Sequence, residues 1–147
     1  MSYVTNEDVE TRLGSAAYVQ LTDDDEDGSA DPAVVDEARE GAEGEVNSYL
    51  ARRYAVPVDL SSHGELEALL KTVVLDLVEH RLHSRRPPVP EDVKAKRQSA
   101  VEWLARVASG AVELPAGQTV ASNPATGFRA ASTGNARILS REELESY

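Results

Sequence analysis

Apolar positions recur along the chain at three- and four-residue spacing in three long stretches, the period of a helix that buries one face. In the first, Val35, Ala38, Ala42, Val46, Tyr49 and Leu50 draw a single stripe. Asp31-Pro32 sets its start, with a carboxylate at the N-cap and a proline where the missing N–H does no harm, and Pro57 forces its end. The pattern predicts a helix over residues 31–54, about six turns long. Gly41 and Gly44 interrupt it, each costing about 1 kcal/mol against alanine, so either a close helix crossing compensates or the helix is locally soft. The second stretch carries the strongest apolar face, Leu66, Leu69, Leu70, Val73, Val74, Leu77 and Val78, after Ser62 and Glu65 spaced as a capping box. A central helix is expected over residues 62–85, stopped by Pro87, Pro88 and Pro90. The third runs over residues 90–109, with Glu91 and Asp92 in its first turn, Val93, Ala100, Val101, Leu104, Val107 and Ala108 on its inner face, Trp103 at the edge and Gly110 as C-terminal cap.

The flanks are weaker. Thr5-Asn6-Glu7-Asp8 reads as a capping box with Asp in place of Glu, leading into a short helix through Val9 and Leu13 that Gly14 can close. After residues 16–21 comes the run Asp23-Asp24-Asp25-Glu26-Asp27-Gly28, whose mutual repulsion reads as a loop. From Ala116 to Asn135 the composition turns to Gly, Ala, Ser, Thr and Asn with Phe128 as the lone large side chain, which builds no core by itself. A possible short strand at residues 136–139 and a last capped turn from Ser140 follow. The expected fold class is all-α: a small helical bundle of three long helices and a short N-terminal one, residues 1–115, followed by an extended arm, residues 116–147.

Charge and composition narrow the function. Aromatic residues make up only 5%, so Leu, Val and Ala must carry the core. A net charge of -11 disfavours binding to DNA or anionic lipid, because phosphate contacts need clustered Lys and Arg, and it suits a channel wall that lets DNA pass without holding it. The absence of cysteine excludes disulfides, thiolate metal sites and a Cys nucleophile. The first residues lack the basic and apolar segments of a secretory signal, and no apolar run is long enough to span a membrane, so a soluble, non-exported protein without membrane partners is expected.

Chemical motifs are few. Asp23, Asp25, Asp27 and Asp31 match four positions of a calcium loop, but the twelfth is Val34 where a bidentate Glu is needed, and no helix leads in. The simpler reading is a solvated acidic loop. Asp76, His80 and His83 share a helix face at four- and three-residue spacing, yet Glu79 precedes His80 and no third metal ligand is nominated, so they read as structural or interface residues, and His63 as merely exposed. Lys94-Ala95-Lys96-Arg97 reads as a solvated basic face. No nucleophile elbow, phosphate loop or dinucleotide fingerprint occurs, so no catalytic residue and no cofactor is expected. Arg52, Arg53 and Tyr54 are candidate contacts for a neighbouring acidic subunit, since such residues are frequent interface hot spots.

The stretch Asn47-Ser48-Tyr49-Leu50-Ala51-Arg52-Arg53-Tyr54-Ala55-Val56-Pro57-Val58 resembles the hallmark of a Mu-like phage protein family. Tyr3-Val4-Thr5 with Leu13-Gly14, Gln20-Leu21-Thr22-Asp23, Ala108-Ser109-Gly110 near Leu114, and the segment from Arg137 to Leu144 fall in that family's order. The resemblance implies a head–tail adaptor of a tailed phage, a virion neck component assembled in the host cytoplasm, that forms a dodecameric ring under the portal, receives the tail and lets DNA pass through its lumen. In such a ring the arm's anchors Phe128, Arg129, Ile138, Leu139, Leu144 and Tyr147 are expected to contact adjacent subunits. Two rivals remain: a helix-turn-helix DNA-binding or packaging protein, and a calcium-dependent interaction module built on residues 23–31.

Overall fold

Thr5 starts the first helix as its spacing predicts: its hydroxyl accepts the Asp8 N–H at 3.2 Å, and the Asp8 carboxylate accepts the Thr5 N–H at 2.9 Å. The structure, a computed structural model, describes residues 2–114, and among these every regular element is helical. The elements are α1 (Asn6–Leu13), α2 (Ser15–Thr22), α3 (Pro32–Leu50), α4 (Gly64–Arg85) and α5 (Glu91–Ser109). The all-α expectation holds. The anticipated strand at residues 136–139 and the final capped turn lie outside the described residues.

Gly14, at φ +79°, ends α1 and begins α2, a bend that L side chains rarely adopt. The sequence pattern assigns no element to residues 16–21, yet α2 forms there and buries Tyr18, Leu21 and Thr22. It is too short to show a period, and packing against α1, α3 and α4 supplies what local preference does not.

Asp31 caps α3 by accepting the Ala33 N–H at 3.0 Å, and the predicted stripe Val35, Ala38, Ala42, Val46 and Leu50 is buried along it. The helix stops at Leu50, a turn before the expected residue 54. Past that point the bonds tighten, Arg53 N–H to the Leu50 carbonyl at 3.0 Å, and this turn swings Tyr54 into the core. The two helix-interior glycines divide between the alternatives. A Cβ at Gly41 would lie 2.8 Å from a guanidinium nitrogen of Arg81, so Gly41 accommodates the crossing of that side chain, whereas nothing lies within 4 Å of the corresponding point at Gly44.

The Ser62–Glu65 capping box does not form. Asp59 accepts the Ser61 N–H at 3.0 Å and sets a turn that delays the helix, so His63 occupies the N-cap without a side-chain bond and Ser62 falls outside it. α4 then packs on all four other helices. Its buried arc is therefore wider than one stripe and runs on through Leu75, Glu79 and Leu82, while Leu69, placed on the inner face by the pattern, is 41% exposed. α5 follows expectation closely and ends at Gly110 in the left-handed conformation. One core joins the five helices with Val4, Tyr54, Val58, Leu60 and Leu114 from the connecting segments. No helix of the described residues is long and apolar enough to cross a membrane.

Candidate functional site

Charged residues on the inward edges of the helices meet in two seams. In one, Glu79 of α4 is only 9% exposed and accepts from Arg12 of α1 at 3.4 Å and from Lys96 of α5 at 3.4 Å, while Arg12 also pairs with Asp76. In the other, the single carboxylate of Glu45 in α3 receives Arg81 of α4 at 3.0 Å and Arg97 of α5 at 3.1 Å. The run at residues 94–97 is thus not simply a solvated basic face. Lys94 pairs along its own helix with Glu91, but Lys96 and Arg97 reach across to α4 and α3, spending their charge on carboxylates of the bundle. That use leaves the helix-turn-helix reading without its electrostatic footprint.

Asp76 and His80 do not come together as a metal or acid–base pair. Asp76 engages Arg12; burial raises its pKa above the usual carboxylate value, with Glu79 adding to the rise and Arg12 and Lys96 opposing it. His80 faces α3 and α5, where burial holds its pKa below the ordinary 6.5, Arg97, Arg81 and His83 push the same way, and Glu45 opposes them. The signs differ. Folding depresses the His80 pKa, so the stability gained by a neutral ring is present above 6.5 and is lost as pH falls from there toward the folded value. Folding raises the Asp76 pKa, so its ionised form is a penalty at neutral pH that is relieved as pH falls from the raised value toward 3.8. The His80→Gln variant is therefore expected to lose less melting temperature than the parent between about pH 7 and pH 5.5, measured by thermal denaturation monitored by circular dichroism. Equal losses would show that His80 does not set the acid limb.

The acidic loop behaves as a loop. Carboxylate oxygens of Asp23, Asp25 and Asp27 lie within 4.8 Å of one another. Asp23 already accepts the Asp27 and Gly28 N–H groups at 3.2 and 2.9 Å, and Asp24 turns away to Arg85 and Arg86. Asp31 does not join them, because it caps α3. The expectation that no helix leads in is corrected, since α2 ends at Thr22 with Asp23 as its C-cap, but the calcium-loop register fails at its ninth position as well as its twelfth.

The predicted contact residues separate. Arg52 is exposed at the end of α3. Arg53 lies over Gly110, where a Cβ would fall 1.6 Å from its guanidinium, and pairs with Glu113 at 3.4 Å. Tyr54 is 2% exposed, so the expectation that it touches a neighbour is corrected: its ring fills the core and its hydroxyl accepts the Leu114 N–H at 2.8 Å. Phe128, Arg129, Ile138, Leu139, Leu144 and Tyr147 lie outside the described residues. Arg53 and Tyr54 together fasten the end of α3 to the segment after α5, which fixes where the chain leaves the bundle.

Two arrangements escaped the sequence reading. Glu43 gathers the Ser2 hydroxyl at 2.6 Å and the Tyr3 and Val4 N–H groups at 2.9 and 3.2 Å, while the Tyr3 hydroxyl donates to Asn47 at 2.7 Å and accepts the Val58 N–H at 2.9 Å. A mid-helix Glu and a residue near the N-terminus carry no local signal that they will meet. The second is an open cleft of about 440 Å³ between α3, α4 and α5, with Val34, Glu37, Ala38 and Glu45 of α3 on one side and His80, Arg81, Arg85 and Arg97 on the other.

Such a molecule defines a packing module: its polar side chains are engaged in joining helices, and its geometry organises a fixed exit point for the chain that follows. Residues 3–131 match the family described as Bacteriophage Mu, Gp36, and the chain belongs to that family. It is accordingly a structural, non-enzymatic virion protein, a head–tail joining adaptor. No curated protein matches it. The family match ends at residue 131, short of residues 137–144, so the likeness of that segment to the family's ending is not supported by it.

Proposed function

We propose that the protein is the repeating subunit of a closed ring, dodecameric as the family resemblance implies, seated in the virion neck between portal and tail and assembled in the host cytoplasm. Residues 1–115 are its packing body, and residues 116–147 are an arm laid on adjacent subunits. The observation that carries this reading is the exit point. The body is satisfied by its own core as far as Leu114, which is 5% exposed and tied to Tyr54, and a long segment poor in large apolar residues follows directly. Its few anchors, Phe128, Ile138, Leu139, Leu144 and Tyr147, are too sparse along the chain to make a core of their own, so a neighbour's surface is their natural partner. Cyclic closure repeats each such contact around the axis, so modest contacts suffice. The net charge of -11 suits a lumen through which DNA slides without being held.

Deleting residues 116–147 is expected to leave a helical, cooperatively melting monomer that no longer forms rings, judged by circular dichroism, light scattering and electron microscopy. Rings of unchanged size from the truncated chain would overturn the arm's role, and loss of helicity would overturn the division into body and arm.

A further inference from the structure

The cleft between α3, α4 and α5 has more hydrogen-bond donors than the bundle consumes. Each guanidinium offers five N–H donors in a planar fork, and two of them, Arg81 and Arg97, converge on the one carboxylate of Glu45. The Nε of Arg81 is buried and has no acceptor among the described residues. Arg85 stands at the same cleft, donating to the Leu21 carbonyl and to Asp24. The lining sets three guanidiniums, Arg81, Arg85 and Arg97, against two carboxylates, Glu37 and Glu45, so in a chain of net charge -11 the cleft keeps a small local excess of cation, next to the apolar side chains of Val34 and Ala38. Its complement is a short segment that carries both carboxylates and apolar side chains.

The chain itself contains one. Residues 115–141 hold no Asp or Glu and three arginines, Arg129, Arg137 and Arg141; the arm's acids are confined to Glu142, Glu143 and Glu145, interleaved with Leu144 and followed by Tyr147. We infer that this acidic segment, residues 142–147, of one copy seats in the α3–α4–α5 cleft of an adjacent copy, its carboxylates on Arg81, Arg85 and Arg97 and its Leu144 against the apolar wall. Carboxylate–guanidinium pairs of this kind can be bidentate, which gives the seat register as well as attraction. The segment lies beyond the residues that match the family.

Length agrees with an adjacent copy. The exit at Leu114 lies past the end of α5, and Arg97 is roughly 20 Å back along that helix at 1.5 Å per residue. The number of residues between Leu114 and Glu142 is enough for a root-mean-square span of roughly 30 Å in a random chain. A body of this size is roughly 35 Å across, so the span matches the distance to a neighbour in contact.

The inference rests on the arm reading above, and the absence of native cysteine supplies a test that separates the two. Full-length Ser84→Cys, in the cleft, and full-length Ser146→Cys are mixed, allowed to assemble and oxidised. Because each chain carries one thiol, any disulfide peptide joining positions 84 and 146, identified by mass spectrometry, connects different copies. That peptide is expected, and reversing the segment's charge with Glu142→Lys, Glu143→Lys and Glu145→Lys should lower its yield by at least ~5-fold. An unchanged yield would reduce the contact to random collision and overturn the seat. Rings that form without the 84–146 link also overturn it while leaving the arm reading intact, whereas rings formed by the chain lacking residues 116–147 overturn the arm reading itself. A Ser29→Cys copy that links to position 84 in place of the Ser146→Cys copy would assign the cleft to the neighbour's acidic loop, again against the inference.

Discussion

Tyr54→Ala is expected to destabilise the bundle by about 3–5 kcal/mol, the range for removing a buried aromatic ring. The ring is 2% exposed and belongs to the same core as Leu50, Val58 and Leu114, so its loss opens a cavity that the surrounding core closes only in part. For a domain of about this size the melting temperature should fall by roughly 10–20 °C. Tyr54→Phe isolates the hydroxyl: the ring stays, but the Leu114 N–H loses its acceptor in a buried position, at a cost of about 1–2 kcal/mol. Because that bond fixes the direction in which the chain leaves the body, Tyr54→Phe should weaken assembly more than its stability loss alone accounts for. Urea denaturation and light scattering on the same samples measure the two effects. Assembly that declines only in step with stability would show that the exit geometry does not matter.

Much of the fold is legible in the sequence where local signals and burial agree. Asp31-Pro32 starts a helix because its two residues satisfy the N-terminus in two ways at once, and Gly110 ends one because the left-handed cap requires a glycine. The errors occur where a tertiary contact outweighs a local pattern. Ser62 and Glu65 have capping-box spacing, but Asp59 organises the preceding turn and moves the N-cap to His63, leaving Ser62 outside the helix and Glu65 already within its first turn. Ser15–Thr22 has almost no amphipathic signal and is helical because three neighbours cover it. The turn after Leu50 shortens α3 because Tyr54 is worth more in the core than as one more helical residue.

The site is less legible because it is built from pairs distant in sequence. Arg52-Arg53-Tyr54 stands out as an interface motif, yet two of its three residues turn to Gly110, Glu113 and Leu114 of the same chain. The basic run at residues 94–97 gives no hint that Lys96 and Arg97 diverge by the 100° of one helical step and serve different seams, one on Glu79 and one on Glu45. The cleft is likewise invisible until α3, α4 and α5 are assembled. What the sequence does show is the chemical contrast between residues 1–115 and those that follow, because a run from Ala116 to Asn135 with Phe128 as its lone large side chain needs no structure to be recognised.

Leu82→Ala tests the packing on which all of this depends. Leu82 has no exposed surface, lies in the second half of the central helix and shares the core with residues of α3 and α5. Its truncation should cost about 2–5 kcal/mol, because the lost transfer free energy is joined by a cavity that the surrounding helices only partly close. Leu69 on the same helix provides the contrast. The apolar pattern treats the two positions alike, but Leu69 is 41% exposed, so Leu69→Ala in the chain lacking residues 116–147 should shift stability by no more than about 0.5 kcal/mol. Urea denaturation of both variants decides between pattern and packing: similar large losses would mean that the first turns of α4 are covered in the body itself, contrary to the geometry described above. If the Leu69 variant is neutral in the truncated monomer but costly in the full-length assembly, the exposed leucine is buried by a neighbour. The start of α4 would then join the cleft as part of the surface on which copies meet.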